Sequence, residues 1–402
     1  MPRGIRVYQL AHELRIGTDD VLRLLAENLH IEIGSHMAAI DEALAAQVRA
    51  LAAERVGAPV PTPGIQAGAV ARAQRGANPT AGSVRGAPHV ELAPADALRF
   101  VRFDTPGRGP SLGLMRQGAA AAPGEERVAD LTVLDPGRFA SPIPWLRRLL
   151  RDGTAATAEL AAAAALAPVV ATLSELEQSQ ALLPPVDAPE VWAAGVTYEH
   201  SRDARDRETQ AGAAGQTPYD RVYAADRPEL FFKATGARVV GPSRSVGLRG
   251  DSRWQVPEPE LALVLDEDGG ILGYTLGNDL SCRDIEGENP LYLPQAKIYR
   301  CSCALGPAVL GAGPTVPEFL VTCTVCRGGT VVWEAGTSTA RMRRPFSALV
   351  AYLLRHNWLP AGSVLLTGTG VVPPEDFSLR DGDDIAISSP AIGTLRNVAR
   401  WI

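Results

Sequence analysis

Val256-Pro-Glu-Pro-Glu-Leu-Ala-Leu-Val-Leu265 places two acidic residues at the start of an unbroken apolar run, which predicts a β-strand. Because side chains alternate between the faces of a strand, Glu258 and Glu260 should share one face, about 7 Å apart. A third carboxylate, Asp279, follows in Gly277-Asn-Asp-Leu-Ser-Cys-Arg-Asp284. An all-carboxylate set favours a hard cation, Mg²⁺ or Mn²⁺, whereas zinc would recruit nitrogen or sulfur. The spacing alone also allows two exposed glutamates on an edge strand, where the flanking prolines are tolerated.

The composition is that of an ordinary globular protein. The chain has 402 residues, enough for two or three domains of about 150 residues each. A formal charge of -6 argues against a broad nucleic-acid interface. The first twenty residues lack an apolar signal core, and the longest weakly apolar run, 160–173, is too short to cross a membrane. The sequence therefore predicts a cytoplasmic protein that has no membrane segment and binds small molecules.

Four regions can be separated along the chain. Residues 5–14, the stretch after Thr18 and residues 40–51 carry apolar positions at helical spacing. A segment rich in Pro, Gly and Ala follows, which indicates a flexible tether. The predicted organisation is a helical module at 1–56, a linker at 57–92, a small α/β domain at 93–185 and a mostly β catalytic domain at 186–402.

The region from 93 to 185 combines strands with helices. Short apolar runs predict strands at Leu98–Phe103, Ser111–Met115 and Val128–Val133. Apolar residues at helical spacing follow at Trp145, Leu146, Leu149 and Leu150. Beyond residue 186, short strands alternate with turns marked by Gly and Pro, which favours a mostly β domain.

The first 56 residues resemble the amino-terminal helical module of bacterial translation initiation factor two, in Arg6-Val-Tyr-Gln-Leu-Ala-His-Glu-Leu14 and Ser35-His-Met37. The chain has no Gly-x-x-x-x-Gly-Lys-Ser/Thr phosphate loop, so a GTP-dependent function is not carried over. Acidic residues outnumber arginines in this module, which disfavours nucleic-acid binding. We expect an appended accessory domain. An inactive, translation-associated binding protein is the alternative from a different functional class.

Motifs in the carboxyl-terminal half resemble the fumarylacetoacetate hydrolase superfamily. They are Glu258-Pro-Glu260, Gly273-Tyr-Thr-Leu-Gly-Asn-Asp279, Ser281-Cys-Arg-Asp284, Lys297, Gly306-Pro307 and Leu366-Thr-Gly-Thr-Gly370. The resemblance implies an α+β fold whose catalytic domain is a mixed β-roll, and it implies a homo-oligomer. It also implies that Glu258, Glu260 and Asp279 bind one Mg²⁺, with Mn²⁺ as the alternative ion.

Four further segments resemble superfamily members that dehydrate 2-keto-3-deoxy-D-arabinonate to 2,5-dioxopentanoate. They are Gly195-Val-Thr-Tyr198, Arg227-Pro-Glu-Leu-Phe-Phe-Lys233, Leu248-Arg-Gly-Asp-Ser252 and Glu286-Gly-Glu-Asn-Pro-Leu-Tyr-Leu-Pro-Gln-Ala-Lys297. This resemblance implies a hydro-lyase with a small 2-keto acid substrate.

One departure from the superfamily pattern bears on the reaction. Hydrolase and decarboxylase members carry a catalytic His three residues after a Tyr, whereas here Ser201 stands three residues after Tyr198. Without a water-activating His, elimination is favoured over hydrolysis of a carbon–carbon bond. An acylpyruvate or fumarylacetoacetate-type hydrolase and an oxaloacetate decarboxylase are the alternative enzymes.

The dehydratase resemblance also suggests roles for individual residues. Lys297 is the candidate for proton transfer, because desolvation and a neighbouring divalent charge make a buried ammonium easier to deprotonate. Glu229 is its expected partner, unless the two form a structural ion pair. Thr369, with nearby backbone N–H groups, is expected to bind the substrate carboxylate. The remaining substrate-binding candidates are Ser201 and, unless they lie on the surface, Lys233 and Arg283.

Overall fold

The structure of the chain is a computed structural model. It describes residues 18–29, 39–56, 98–116, 126–198 and 218–402, together with Ile5, Arg6, Val7, Leu10, Leu14 and Ile31. Tertiary contacts divide the chain into two compact units, Met1–Ala87 and Pro88–Ile402. None of the described helices is both long enough and apolar enough to cross a membrane.

The described residues of the first unit form β1 (Ile5–Arg6), α1 (Thr18–Leu29), β2 (Ala39–Ile40) and α2 (Glu42–Val56). β1 and β2 pair antiparallel, with Ile5 opposite Ile40. Helical spacing predicted helices over 5–14 and 40–51. Val7, Leu10 and Leu14 are helical and α2 covers most of the second stretch, but the first residues of each stretch form these two strands, because their pairing satisfies the backbone groups there. Val21, Leu25 and Val48 belong to the apolar core of this unit.

The second unit is built mainly from strands. In chain order they are β3 (Arg99–Thr105), β4 (Gly109–Arg116), β5 (Arg127–Asp130), β6 (Val169–Thr172), β7 (Leu182–Leu183), β8 (Glu190–Gly195), β9 (Glu229–Thr235), β10 (Val239–Val240), β11 (Ser245–Leu248), β12 (Gln255–Val256), β13 (Pro259–Leu265), β14 (Ile271–Asp279), β15 (Ser281–Cys282), β16 (Cys303–Gly311), β17 (Leu320–Arg327), β18 (Thr330–Ser338), β19 (Val364–Leu366), β20 (Asp384–Ser389) and β21 (Gly393–Trp401). The helices are α3 (Ile143–Asp152), α4 (Thr154–Leu166), α5 (Leu173–Gln178), α6 (Pro218–Ala224), α7 (Arg283–Glu288), α8 (Leu293–Lys297) and α9 (Phe346–Leu353).

Two sheets organise this unit. Within the described residues, a 12-stranded sheet follows the order β6-β5-β4-β3-β16-β14-β13-β19-β8-β9, with β10 beside β16 and β7 beside β3. A 5-stranded sheet follows the order β11-β21-β20-β17-β18. Most neighbours are antiparallel, but three pairs are parallel: β19 with β8, β10 with β16, and β11 with β21. The predicted fold, a mixed and sheet-rich one with some helices, is confirmed at this level.

β13, which carries Glu260 and directly follows Glu258, is covered on both edges and both faces. It pairs with β14 on one side and with β19 on the other. Leu261, Leu263 and Leu265 pack into a core shared with the 5-stranded sheet, whereas Ala262 and Val264 pack into a second core that includes residues of α3 and α4. The alternative of exposed glutamates on an edge strand is therefore wrong, because β13 is a central strand.

The strand predicted at 128–133 ends early. β5 stops at Asp130, and Leu131–Val133 form a 3₁₀ turn. The Asp130 side chain accepts a hydrogen bond from the Thr132 N–H (3.0 Å), which caps the turn. A side chain that bonds the backbone two residues ahead competes with strand pairing, and here it ends the strand.

The region before residue 186 shares a sheet with the rest of the second unit. β3 pairs with β16, and Phe100 lies opposite Val309. α3 contains the residues predicted to be helical, of which Trp145 and Leu146 are buried. Because the sheet continues across residue 185, the division into a small domain and a catalytic domain stays a prediction.

We expect Leu263→Ala to lower the free energy of unfolding by about 2–5 kcal/mol, because Leu263 is fully buried and its truncation leaves a cavity. Leu166→Ala is the matched control. Leu166 is 78% exposed, so its truncation should change the free energy of unfolding by no more than about 0.5 kcal/mol. Denaturant unfolding followed by circular dichroism measures both values, and equal effects would contradict the central position of β13.

Candidate metal centre and active site

Three carboxylates meet where β13 begins and β14 ends. The antiparallel pairing of these strands puts Glu260 opposite Gly277. The Asp279 N–H donates to the Glu258 carbonyl (3.0 Å), which holds the two chain segments together at this point. One ligand oxygen from each of Glu258, Glu260 and Asp279 lies within 4.8 Å of the others, and each residue is at most 3% exposed. The structure therefore brings together the three residues selected from the sequence.

The Lys297 ammonium lies among these carboxylates. It is at the end of α8 and fully buried. Its Nζ donates to Glu258 Oε2 (2.5 Å), Asp279 Oδ2 (2.9 Å) and the Ser281 hydroxyl (2.5 Å). A cation thus bridges two of the three carboxylates, which is a position typical of an acid–base or charge-balancing lysine.

Lys233 and Arg283 are also buried at the site. Lys233 Nζ lies 2.7 Å from Asp279 Oδ1 and donates to the carbonyls of Leu280 (2.9 Å) and Lys297 (2.6 Å). Arg283 Nη2 donates to Glu258 Oε1 (2.6 Å). The alternative of a surface role for these two residues is wrong, because Lys233 is 0% and Arg283 2% exposed.

Glu260 differs from the other two carboxylates in its surroundings. Its Oε2 accepts a hydrogen bond from the Gly368 N–H (2.6 Å). Burial, and then the negative charges of Asp279 and Glu258, raise the pKa of Glu260 well above its usual value, and the Lys297 charge offsets only part of this effect. A carboxyl group in this environment binds either a proton or another cation.

Glu286 was missed by the sequence reasoning, although it lay within a quoted motif. Its Oε1 is 3.6 Å from Lys297 Nζ, and its Oε2 is 3.9 Å from Arg283 Nε. The i, i+3 spacing of Arg283 and Glu286 was the available signal, but only the buried contact with Lys297 places Glu286 at the site. Ser281, which accepts a hydrogen bond from Lys297, was missed for the same reason.

The charges at the site fit a divalent cation. The buried charged groups named so far at this site are four carboxylates and three cations: Glu258, Glu260, Asp279 and Glu286 against Lys233, Arg283 and Lys297. With every group in its charged form, this set has one negative charge in excess. A divalent cation together with a singly charged keto acid would neutralise it, and an oxygen-only set of ligands suits Mg²⁺ or Mn²⁺.

A small cavity of about 10 Å³, close to the space of one water molecule, opens onto this set. Its lining residues are Ala194, Gly195, Val196, Phe231, Glu258, Glu260, Asp279, Arg283, Lys297 and Thr369. The Thr369 hydroxyl donates to the Val371 carbonyl (3.0 Å) and accepts from the Val371 N–H (3.2 Å), so it is engaged within its own loop. The predicted carboxylate-binding residue therefore lies at the cavity with its hydroxyl already bonded.

The remaining candidates are Glu229 and Ser201. Glu229 begins β9, opposite Gly195 of β8, and a Cβ at Gly195 would clash with the Glu229 carboxylate. A glycine at position 195 thus leaves the space that this carboxylate occupies beside the cavity. Ser201 lies outside the described residues.

The fold and the site agree with a family comparison. Residues 190–400 match the family described as the carboxyl-terminal region of fumarylacetoacetate hydrolase. The chain belongs to the fumarylacetoacetate hydrolase family, as its motifs predicted.

Comparison with individual proteins shows which members of the family this chain is similar to. The probable 2-keto-3-deoxyxylonate dehydratase of Haloferax volcanii is 50% identical over 215 residues, which are 53% of this chain and 73% of the relative. The 2-dehydro-3-deoxy-D-arabinonate dehydratase of Saccharolobus solfataricus is 46% identical over 213 residues, 52% of this chain and 72% of the relative. A solved structure of 2-keto-3-deoxy-D-arabinonate dehydratase, complexed with magnesium and 2,5-dioxopentanoate, is 34% identical with a TM-score of 0.59 and covers 76% of this chain and 99% of that chain. Within the family, the chain is thus similar to sugar-acid dehydratases.

We expect Glu260→Gln to remove Mg²⁺ binding without destabilising the metal-free protein. Because the folded protein raises the pKa of Glu260, the contribution of this group to stability in chelator should be fully present below about pH 4.3, the ordinary value for glutamate, and should be lost as pH rises through the raised value. Mg²⁺ should reverse that loss in the wild type. The variant should show a smaller loss and no response to Mg²⁺.

Thermal unfolding at several pH values measures the stability of the wild type and of Glu260→Gln, each with Mg²⁺ or with chelator. A Glu260→Gln protein that Mg²⁺ stabilises as much as it does the wild type would exclude Glu260 as a ligand.

Proposed function

We propose that the protein is a Mg²⁺-dependent hydro-lyase that converts 2-keto-3-deoxy-D-arabinonate, or a closely related 2-keto-3-deoxy-pentonate, into 2,5-dioxopentanoate and water. The observation that carries this proposal is the buried set of Glu258, Glu260 and Asp279, with the Lys297 ammonium 2.5 Å from Glu258 and 2.9 Å from Asp279. Relatives that are 46% and 50% identical and are named as dehydratases of such acids support the substrate class.

Glu258, Glu260 and Asp279 are the proposed metal ligands, and Mn²⁺ is the proposed substitute for Mg²⁺. These residues would hold an ion that would supply polarisation of the keto oxygen of a 2-keto acid and stabilisation of the negative charge that develops as a C3 proton leaves. Arg283 holds Glu258 (2.6 Å) and Lys233 holds Asp279 (2.7 Å), so both carboxylates keep a defined orientation at the cavity wall.

Lys297 is the proposed proton-transfer group. Its Nζ lines the cavity and lies 5.4 Å from the centroid of the Phe231 ring, so an apolar surface borders it on one side. In its neutral form the amine would take a proton from C3, and the C4 hydroxyl would receive a proton and leave as water. Glu229 is the proposed second acid–base group. The unsaturated alcohol then rearranges to 2,5-dioxopentanoate without gain or loss of atoms.

Thr369 and the N–H groups of its loop are proposed to bind the substrate carboxylate. The hydrogen bond from the Gly368 N–H to Glu260 (2.6 Å) ties this loop to a proposed metal ligand, so the two would be positioned together. Ser201, Lys233 and Arg283 are the further proposed substrate-binding positions. Because Lys233 and Arg283 already hold carboxylates, we expect them to affect the substrate through those carboxylates.

The organisation around the catalytic residues is also a proposal. We propose an appended helical module at 1–56 and a linker at 57–92, followed by a small α/β domain at 93–185 and a catalytic β-roll at 186–402. The compact unit Pro88–Ile402 supports a separation near residue 90. Family resemblance supports a homo-oligomer, and the cytoplasm is the expected compartment.

The purified chain with Mg²⁺ should form 2,5-dioxopentanoate from 2-keto-3-deoxy-D-arabinonate. Lys297→Met should abolish this turnover, because it removes the proton-transfer group and leaves the three carboxylates in place. Ser201→Ala should cost much less than the roughly 10²- to 10⁴-fold typical of a lost general acid or base. Mass spectrometry of the products, with steady-state rates for each variant, checks these expectations.

Two other products would contradict the proposal. Pyruvate and a second acid from an acylpyruvate, with no 2,5-dioxopentanoate from either pentonate epimer, would establish the hydrolase. Pyruvate and CO₂ from oxaloacetate, again with no dehydration, would establish the decarboxylase.

Removal of residues 1–87 should leave kcat and KM within about twofold, because every described residue proposed for chemistry lies in the unit Pro88–Ile402. Steady-state kinetics of the shortened and full-length proteins make the comparison. A shortened protein that is folded by circular dichroism yet inactive would show that the first unit takes part in catalysis.

A further inference from the structure

Glu286 lies beside two cations that also bind Glu258. It is on α7 and 2% exposed. Its carboxylate is 3.6 Å from the Lys297 ammonium and 3.9 Å from Arg283 Nε. The same two cations hold Glu258 more closely, at 2.5 Å for Lys297 and 2.6 Å for Arg283. Two cations thus lie between two buried carboxylates and are closer to one of them.

A metal ion bound by Glu258 would compete with both cations for the same oxygens. A carboxylate that ligates a divalent ion gives most of its charge to that ion and holds an ammonium or guanidinium less strongly. Lys297 and Arg283 would then need another counter-charge, because a buried charge that loses its partner is strongly destabilising. Glu286 is placed to provide it for both.

We propose that Glu286 is a positioning residue. It becomes the ion-pair partner of the Lys297 ammonium and the Arg283 guanidinium when Glu258 and Asp279 bind a metal ion. The inference rests on the metal site of the proposed function. The movement it requires is small: shortening contacts of 3.6 Å and 3.9 Å to charge-assisted bonds of about 2.8 Å takes about 1 Å at each. Side-chain rotation alone can supply that distance.

Ser281 supports the same exchange. Its hydroxyl donates to the Asp279 carbonyl (2.9 Å), so its oxygen is fixed as an acceptor for the Lys297 ammonium (2.5 Å). With Ser281 on one side and Glu286 on another, the ammonium keeps two acceptors after Glu258 and Asp279 have bound the metal. Lys297 therefore stays at the cavity wall, and Glu286 controls both metal affinity and turnover.

The first test is Mg²⁺ binding to the full-length chain without substrate, measured by isothermal titration calorimetry. Glu286→Gln should weaken binding by about 10- to 100-fold, the range typical of losing an outer-shell group, because Lys297 and Arg283 then lack a counter-charge when Glu258 binds the metal. Glu286→Asp keeps the charge but withdraws the carboxylate from Lys297 and Arg283, so it should also weaken binding, by about 10-fold. Glu288→Gln is the matched control, because Glu288 is on the same helix and exposed, and it should bind Mg²⁺ like the wild type.

The second test separates positioning from substrate binding. At saturating Mg²⁺, Glu286→Asp should lower kcat by about 10-fold while the KM for 2-keto-3-deoxy-D-arabinonate stays within about twofold. The thermal midpoint in chelator verifies that each variant is folded. If Glu286→Gln does not fold, Glu286→Asp and its control still decide the question.

Wild-type affinity for Mg²⁺ in Glu286→Asp would overturn the inference, because only the position of the carboxylate has changed. A wild type that binds neither Mg²⁺ nor Mn²⁺ would overturn it together with the metal site. A wild type that binds Mg²⁺ but dehydrates no pentonate would overturn the proposed function alone, and the calorimetric comparison would still test Glu286.

Discussion

The site depends on the balance of charge around the buried Glu258 carboxylate. Arg283 lies 2.6 Å and Lys297 2.5 Å from its oxygens. Removing one member of such a buried pair typically costs about 3–5 kcal/mol, since the partner is left with its charge and without its solvation. The cations therefore offset the desolvation cost of the buried carboxylates, and the carboxylates offset that of the cations. With every group charged, one negative charge remains in excess, and a proton or a further cation can balance it.

The framework around this set explains how it keeps its geometry. Glu260 is on a strand with neighbours on both sides, and Asp279 ends the adjacent strand. Lys233, on β9, donates to the carbonyls of Leu280 and Lys297, so it ties the segment after β14 to the end of α8. Functional groups on paired strands and packed helices are held more closely than groups on loops. The loop of Gly368 joins the same framework through Glu260.

Much of the site could be predicted because its ligands are close in sequence and their spacing has a local meaning. Strand periodicity put Glu258 and Glu260 on one face, and the apolar run after them marked a buried strand. The solved dehydratase structure covers 76% of this chain, so about a quarter of the chain lies outside that comparison. For residues 1–56, the interpretation as an appended module stays a prediction from the sequence.

The sequence by itself determined the carboxylate set, the helix around Trp145 and the family, because residue type, periodicity and motif spacing are local properties. Only the tertiary structure decided that β13 is a central strand, since pairing with β14 and β19 involves residues distant along the chain. It also decided the contacts of Lys297 with Ser281 and Glu286. The physical reason is that charge interactions depend on distance through space and on burial, and neither can be read from the order of residues.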